Sequence, residues 1–222
     1  MATPADPSEQ PRVPLSRERV LRAAIALADA GGIEALSMRR LAKELGVEAM
    51  SLYNHVANKD DILDGIVDTV AAEVELPPDG VDWKTAIRRS AISARDVYIR
   101  HPWASSLSMS RQSGGPARLR HGNWVLTTLR EAGFSKDLTY HAYHILDAYV
   151  LGFTVLQLSF PYEGEELAGL ATAFLERLPA GEYPYFVEHV HQHLEPRKGE
   201  KGGFELGLDL ILDGLERARD DG

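Results

Sequence analysis

The chain has 222 residues, a hydrophobic fraction of 44% and no cysteine. That is enough apolar material for a packed core, and it excludes disulfides and thiolate metal sites and fits a reducing compartment. The net charge of −9 argues against a nucleic-acid partner only until its distribution is read: residues 12–59 hold eight Lys/Arg against five Asp/Glu, whereas residues 60–222 hold 16 against 26. A basic head on an acidic body suits a protein that grips DNA in one place, although ordinary charge scatter gives the same numbers.

Residues 1–15 are rich in Pro and polar groups and carry no apolar run. They are expected to form a disordered tail and do not resemble a signal peptide. The longest apolar run, residues 148–160, contains Gly152 and Gln157 and is too short to span a bilayer, so no membrane partner and a cytoplasmic location are expected.

Ser16 is placed to cap a first helix, with Glu18 in its first turn and Val20, Ala23, Ala24, Leu27 and Ala28 at helical spacing; Gly31-Gly32 stops it. Ser37 can cap a second helix, Gly46 marks a turn, and a short third helix follows. Asn58 can cap a fourth, from about Lys59 to Glu75, with Ile62, Ile66, Val67 and Val70 inward. Ile33, Leu36, Leu41, Leu45, Val47 and Leu52 supply the small core these helices need. Pro77-Pro78-Asp79-Gly80 is the best domain boundary. The expected organisation is therefore a helix-turn-helix unit over 16–62, a linking helix over 59–75 and a larger helical unit over 80–222.

Beyond the boundary the pattern remains helical over 82–100, 117–132, 136–160 and 204–219. Residues 103–111 are ambiguous, weaker helices are expected over 163–178 and 182–195, and Pro196–Gly203 reads as polar and mobile. With no convincing strand or internal repeat, the fold class is all-α. From Ile145 to Phe160 nearly every position is apolar, and Phe204, Leu206, Leu208, Leu210, Ile211, Leu212 and Leu215 repeat this in the last helix. A helix apolar on all sides is buried on all sides, so two of them predict a homodimer through a four-helix interface; a monomer with a thick core is the alternative.

The stretch SMRRLAKELGVEAMSLYNHVANKDDIL, residues 37–63, carries the chemistry. In a short recognition helix the N-terminal positions face base edges, here Glu48, Ala49, Met50 and Ser51. Methyl contact to thymine is the chemistry open to Ala49 and Met50. The same helix is expected to carry Tyr53, Asn54 and His55, with Lys59 just beyond it. Ser37 and Arg39 open the preceding helix, where free backbone N–H groups favour phosphate. A core aromatic at Tyr53 and a solvated charge at Lys59 are the bland alternatives.

In the second unit the polar and aromatic candidates for a small organic effector are Trp103, Met109, Trp124 and Tyr140, followed by His144, Asp147, Phe153 and Gln157. Tyr140, His144 and Asp147 fall at i, i+4 and i+7, so they share one helix face, a fair lining for a flat molecule with polar ends; core filling explains them equally well. In HVHQH, His189 and His193 stand at a spacing zinc tolerates, but no further ligand follows at a telling distance. Neither a metal nor a cofactor is expected.

LAKELGVEAMSLYNHVANKDDIL resembles the N-terminal domain of the TetR family of bacterial transcriptional repressors, strongly over about residues 16–70 and most of all its tetracycline-repressor branch, through LGVE, LY, HV and NK. HPW at 101–103, Gly115-Pro116, EAGFS at 131–135 and YVLGF at 149–153 extend the resemblance more loosely. It implies an all-helical fold, a ligand cavity in the larger domain, dimerisation through the eighth and last helices, and phosphate contacts from Tyr53, His55 and Lys59. That branch has glutamine and proline where this chain has Ala49 and Met50, so the amide reading of adenine is missing and a different operator is expected. Alignment on Leu151-Gly152 puts Ala148 and Leu156 where two magnesium–tetracycline ligands of that branch would fall, so no such site is expected. The function implied is a ligand-responsive regulator, a repressor released from double-stranded DNA by a small organic effector. A helical carrier or enzyme using the second-unit pocket is the alternative, although no Gly-rich phosphate loop or nucleophile elbow is present.

Overall fold

The computed structural model describes residues 14–111, 114–162, 164–179, 181–195 and 202–221. The expected tail, save Pro14 and Leu15, and most of the expected mobile stretch 196–203 lie outside the described residues. Within them the chain is all-α, with a single-turn 3-10 helix at Ile33–Ala35 and no strand.

The first four helices form where the local signals put them. α1 (Arg17–Gly31) starts with the Ser16 hydroxyl accepting the Arg19 N–H at 3.2 Å, and it buries Val20, Leu21, Ala24, Leu27 and Ala28. α2 (Met38–Leu45) starts in the same way, with Ser37 accepting the Arg40 N–H at 3.2 Å. It ends at Gly46, whose φ of 66° is left-handed and is open to glycine at little cost. The Gly46 N–H reaches the Ala42 and Lys43 carbonyls, and the Val47 N–H returns to Ala42 at 3.0 Å. α3 (Ala49–Leu52) is only four residues long. The expectation that Tyr53, Asn54 and His55 ride on this helix is corrected: their N–H groups bond to the carbonyls three residues back, of Met50, Ser51 and Leu52, in a tightened turn. α4 (Lys59–Ala71) is capped by Asn58 accepting the Asp61 N–H at 2.9 Å. It stops short of Glu75 because the chain bends toward the next helix, where the Glu75 N–H bonds to the Ser93 hydroxyl at 2.8 Å.

The second half comprises α5 (Trp83–Arg100), α6 (Pro102–Ser110), α7 (Pro116–Glu131) and α8 (Lys136–Ser159), then α9 (Gly164–Leu175), α10 (Pro184–Leu194) and α11 (Gly203–Asp220). The ambiguous 103–111 stretch is thus a helix, opened by Pro102 at its first position, where the missing N–H costs nothing. α5, α7, α8 and α11 pack together, and Lys84 and Arg88 on α5 tie down α11. Lys84 reaches Asp213 and Glu216 at 2.6 Å each, and Arg88 reaches Asp209 at 2.7 Å.

The all-round burial expected of two helices is only half realised in a single chain. α8 buries Thr139, Ala142, Leu146, Val150 and Thr154, yet Ile145 and Leu156 are exposed, Leu156 by 73%. α11 buries Phe204, Leu208, Leu212 and Leu215 but leaves Leu206 and Leu210 exposed by 56% and 62%. Both helices therefore keep an uncovered apolar face.

The two halves meet around α4. At the C-terminal end of α1, Asp29 accepts the Trp103 indole N–H at 2.7 Å and bonds the His101 Nδ1 at 2.8 Å. Along α4, Asp60, Asp64 and Asp68 stand at i, i+4 and i+8. Arg111 engages both Asp60 and Asp64. Asp68 accepts the backbone N–H groups of Ala117 and Arg118, at 2.9 and 3.0 Å, at the positive N-terminal end of α7. Gly115 makes that approach possible, since a Cβ there would lie 2.2 Å from the Asp68 Cγ.

Phe134 is 1% exposed, with its ring 4.9 Å edge-on from Trp83, and the Arg219 guanidinium lies 5.8 Å from its ring centre. It locks the α7–α8 turn to α5 and α11. Phe134→Ala is expected to cost ~3–5 kcal/mol, read as a lowered urea midpoint in equilibrium unfolding.

Candidate functional site

Two sites stand at opposite ends of α4. The first is the face carried by α2, α3 and the start of α4. Leu41, Ala42, Leu52 and Val56 are buried and fix the two short helices, so the opposite positions face outward. Ser37, Arg39, Glu48, Met50, Tyr53, Asn54 and Lys59 are exposed, Met50 by 74%. Ala49, Ser51 and His55 are half-buried, Ala49 against the core. Sequence reading passed over Arg40 and Lys43, which join Ser37, Arg39 and Glu44 around a surface hollow on α2. Helical periodicity was the available signal: both lie on the face away from Leu41 and Ala42.

This face is bound to α4 by one residue of α1. Arg17 forks onto Asp61 at 2.8 and 2.6 Å and reaches the His55 carbonyl at 3.4 Å, while Asp61 also accepts the Ala57 N–H at 2.8 Å. The turn after α3 is therefore clamped to the first turn of α4. The Arg17 guanidinium, helped by the Ala57 N–H, holds the Asp61 carboxyl below the ordinary value of 3.8.

The second site is a cavity of about 790 Å³ enclosed by α4, α5, α6, α7 and α8. Its apolar wall includes Ile87, Ala91, Val125, Leu146 and Val150, with Ala71 from the end of α4 and Val74 from the chain just after it. Of the eight sequence candidates, Met109, His144 and Asp147 line it. The others do not. Trp103 is committed to Asp29, Tyr140 is 60% exposed one turn before the wall, Phe153 packs edge-on against Phe204, and Gln157 accepts from Arg95 at 3.0 Å. Trp124 lies behind the wall, its ring 6.5 Å from that of His121. The polar lining that sequence reading missed includes Ser90, Tyr98, Arg111, Arg118, His121 and Tyr143. These come from α5, α7 and α8 and from the chain before α7, far apart in sequence, so no local pattern announces them.

The cavity's titratable groups are shaped by their surroundings. Burial pushes the Asp147 carboxyl up, opposed by His121, Arg118 and His144, and pushes the His121 imidazole down toward its neutral form. Burial also raises the Tyr98 and Tyr143 phenols, which stay protonated near neutrality. The His144 Nδ1 lies 2.8 Å from the Tyr140 carbonyl, which can only accept, so Nδ1 donates there and Nε2 is the ring nitrogen not used in this bond. Ala148 lines the cavity, whereas Leu156 points outward. The Nε2 atoms of His189 and His193 are 3.2 Å apart, but no group of three or more His, Asp or Glu converges as a metal site among the described residues. Among the same residues no single helix is long and apolar enough to cross a membrane.

Residues 20–66 match the family described as bacterial regulatory proteins, tetR family, and residues 76–219 match the tetracyclin repressor-like C-terminal domain. The chain belongs to the TetR family. The HTH-type transcriptional repressor DrrR1 of Streptomyces coeruleorubidus is 37% identical over 221 residues, covering 95% of this chain and 80% of that protein. The Escherichia coli tetracycline repressor protein class C is 28% identical over 213 residues, covering 92% of each. The TetR family protein ActR of Streptomyces coelicolor, solved in complex with actinorhodin, is 31% identical with a TM-score of 0.78, covering 93% of this chain and 99% of that one. As a TetR-family member the chain is a ligand-responsive transcriptional regulator with an N-terminal helix-turn-helix and a helical C-terminal domain. The proteins it matches are regulators rather than enzymes.

Because the folded Asp61 carboxyl gives up its proton more readily than an unfolded one, the Arg17–Asp61 clamp contributes fully above the ordinary value of 3.8 and is lost as pH falls below it. The stability difference between wild type and Asp61→Asn is expected to be constant from neutrality to about pH 5, below about 1 kcal/mol for so solvated a pair, and to vanish in stronger acid. Urea unfolding at a series of pH values measures it.

Proposed function

We propose that the chain is a cytoplasmic homodimeric repressor that leaves an inverted-repeat operator when a small organic effector fills the cavity. The observation that carries this reading is α4: its first turn is clamped to the turn after α3, and its last residue, Ala71, lines the cavity together with Val74 just beyond it. A displacement of α4 by a ligand would be felt at the reading face. The proposed division is a DNA-binding unit over 16–62, α4 as the link, and an effector and dimerisation unit over 80–222.

In the bound state two α3 helices enter successive major grooves ~34 Å apart. Glu48, Ala49, Met50 and Ser51 face base edges, with Met50 and Ala49 suited to thymine methyl groups. Tyr53, Asn54, His55 and Lys59 hold phosphates, joined by Ser37 and Arg39 and by the neighbouring cations Arg40 and Lys43. The uncovered faces of α8 and α11, with Ile145, Leu156, Leu206 and Leu210, support the dimer. The binding of actinorhodin by ActR supports an organic effector in the cavity, and Ala148 and Leu156 speak against a magnesium–tetracycline site. A thousandfold loss of operator affinity requires ~4 kcal/mol of coupling between the two sites.

Two measurements test the reading. Tyr53→Ala is expected to weaken operator binding at least about tenfold in fluorescence anisotropy, while size-exclusion chromatography with light scattering still reports a dimer. Leu206→Glu combined with Leu210→Glu is expected to give a folded monomer by light scattering, because two carboxylates would have to be buried in an apolar interface. A wild-type chain that is monomeric at micromolar concentration overturns the dimer.

A further inference from the structure

We infer that the effector is an organic acid, recognised through an anionic group by Arg111 and Arg118 at the α4 end of the cavity. The inference rests on the reading of the cavity as the effector site. Among the lining residues the fixed charges are two guanidiniums and a single carboxylate, Asp147, which sits on α8. A guanidinium keeps its charge at any physiological pH, whereas burial pushes Asp147 and His121 toward their neutral forms. The cations outnumber the carboxylates in the lining itself, although Arg111 is already paired with Asp60 and Asp64 of α4 from outside it.

The position of the two cations gives the inference its direction. Arg118 is held on the wall by the carbonyls of Arg111 and Ser108, at 3.1 and 3.4 Å, and its own backbone N–H binds Asp68 of α4. Arg111 lines the cavity and at the same time engages Asp60 and Asp64 of α4. Both cations thus stand between the ligand space and the helix that carries the reading face. The remaining wall is mostly apolar, which suits a flat hydrocarbon body, with the His144 imidazole and the Tyr143 hydroxyl also lining the cavity farther along. An anion at Arg111 competes with Asp60 and Asp64 for the same N–H groups. Such a ligand binds better when α4 has been let go, and this differential affinity is what a release mechanism needs.

The test uses two probes of the same size that differ in charge, anthracene-2-carboxylate and anthracene-2-carboxamide, titrated into the full chain and followed by anthracene anisotropy. The carboxylate is expected to bind at least about tenfold more tightly, to lose that preference in Arg118→Gln and to keep it in Arg118→Lys. The carboxylate, and not the carboxamide, is expected to release an operator probe, and Arg111→Gln is expected to blunt that release. Thermal melts establish that each variant is folded; should Arg118→Gln not fold, Arg111→Gln carries the same comparison of acid and amide. Equal affinities, a preference for the amide, a preference unchanged in the folded glutamine variant, or no saturable binding of either probe up to about 1 mM overturns the inference. Tight binding of the amide does so while leaving the cavity as the effector site. Failure of the ligand-free wild type to bind operator DNA instead overturns the regulatory reading itself.

Discussion

The architecture hangs on α4, a thirteen-residue helix with an acidic stripe that three different groups grip. Asp61 is held by Arg17, Asp60 and Asp64 by Arg111, and Asp68 by the N-terminal end of α7. Its other face buries Ile62, Ile66, Val67 and Val70 at 2% exposure or less. Apolar burial holds α4 in the molecule, while the carboxylates set its register against each half. Packing of this kind is stiff along its contacts, so small shifts at one end are carried to the other rather than absorbed.

Charge on this chain is organised by place rather than by sum. The same excess of acid that gives a net −9 supplies the stripe on α4 and the partners of Lys84 and Arg88 on α11. Those carboxylates are used internally, as partners for cations and, at Asp68, for backbone N–H groups of neighbouring segments. The N-terminal cations Arg39, Arg40 and Lys43 instead point outward with one nearby acid, Glu44. A nucleic acid approaching the molecule meets this local field, because charges more than a Debye length away are screened.

What could be read from the sequence follows the range of the interaction involved. The caps at Ser16, Ser37 and Asn58 were legible because each is settled within three residues by one side-chain hydrogen bond. The turn at Gly46 was legible for a similar reason. The end of α3 was not, since no Gly or Pro marks the change to a tighter turn at Tyr53. The cavity was legible only in part. The helical spacing of Tyr140, His144 and Asp147 gave one wall, and the structure places Tyr140 beyond its edge, its ring tilted 45° to that of His144 at 4.5 Å. Ser90, Tyr98, Arg118 and His121 come together only through the packing of α5 and α7, and no periodicity encodes that. Trp103 misled for a chemical reason: an indole suits a ligand wall, but its N–H was required by Asp29.

The brevity of α3 has a consequence of its own. Four residues are far too few for a helix to persist alone, since nucleation costs more than so few hydrogen bonds return. Its order is lent by Leu52 and Val56 below it and by the Arg17 clamp beyond it. The surface proposed to read DNA is thus among the least self-sufficient parts of the chain. Local opening there would need only these few anchors to slip, well below the free energy of global unfolding. Base recognition at the proposed face would in that sense be a property of its scaffold, and damage far from any nucleotide would blur the reading as surely as a change at Met50.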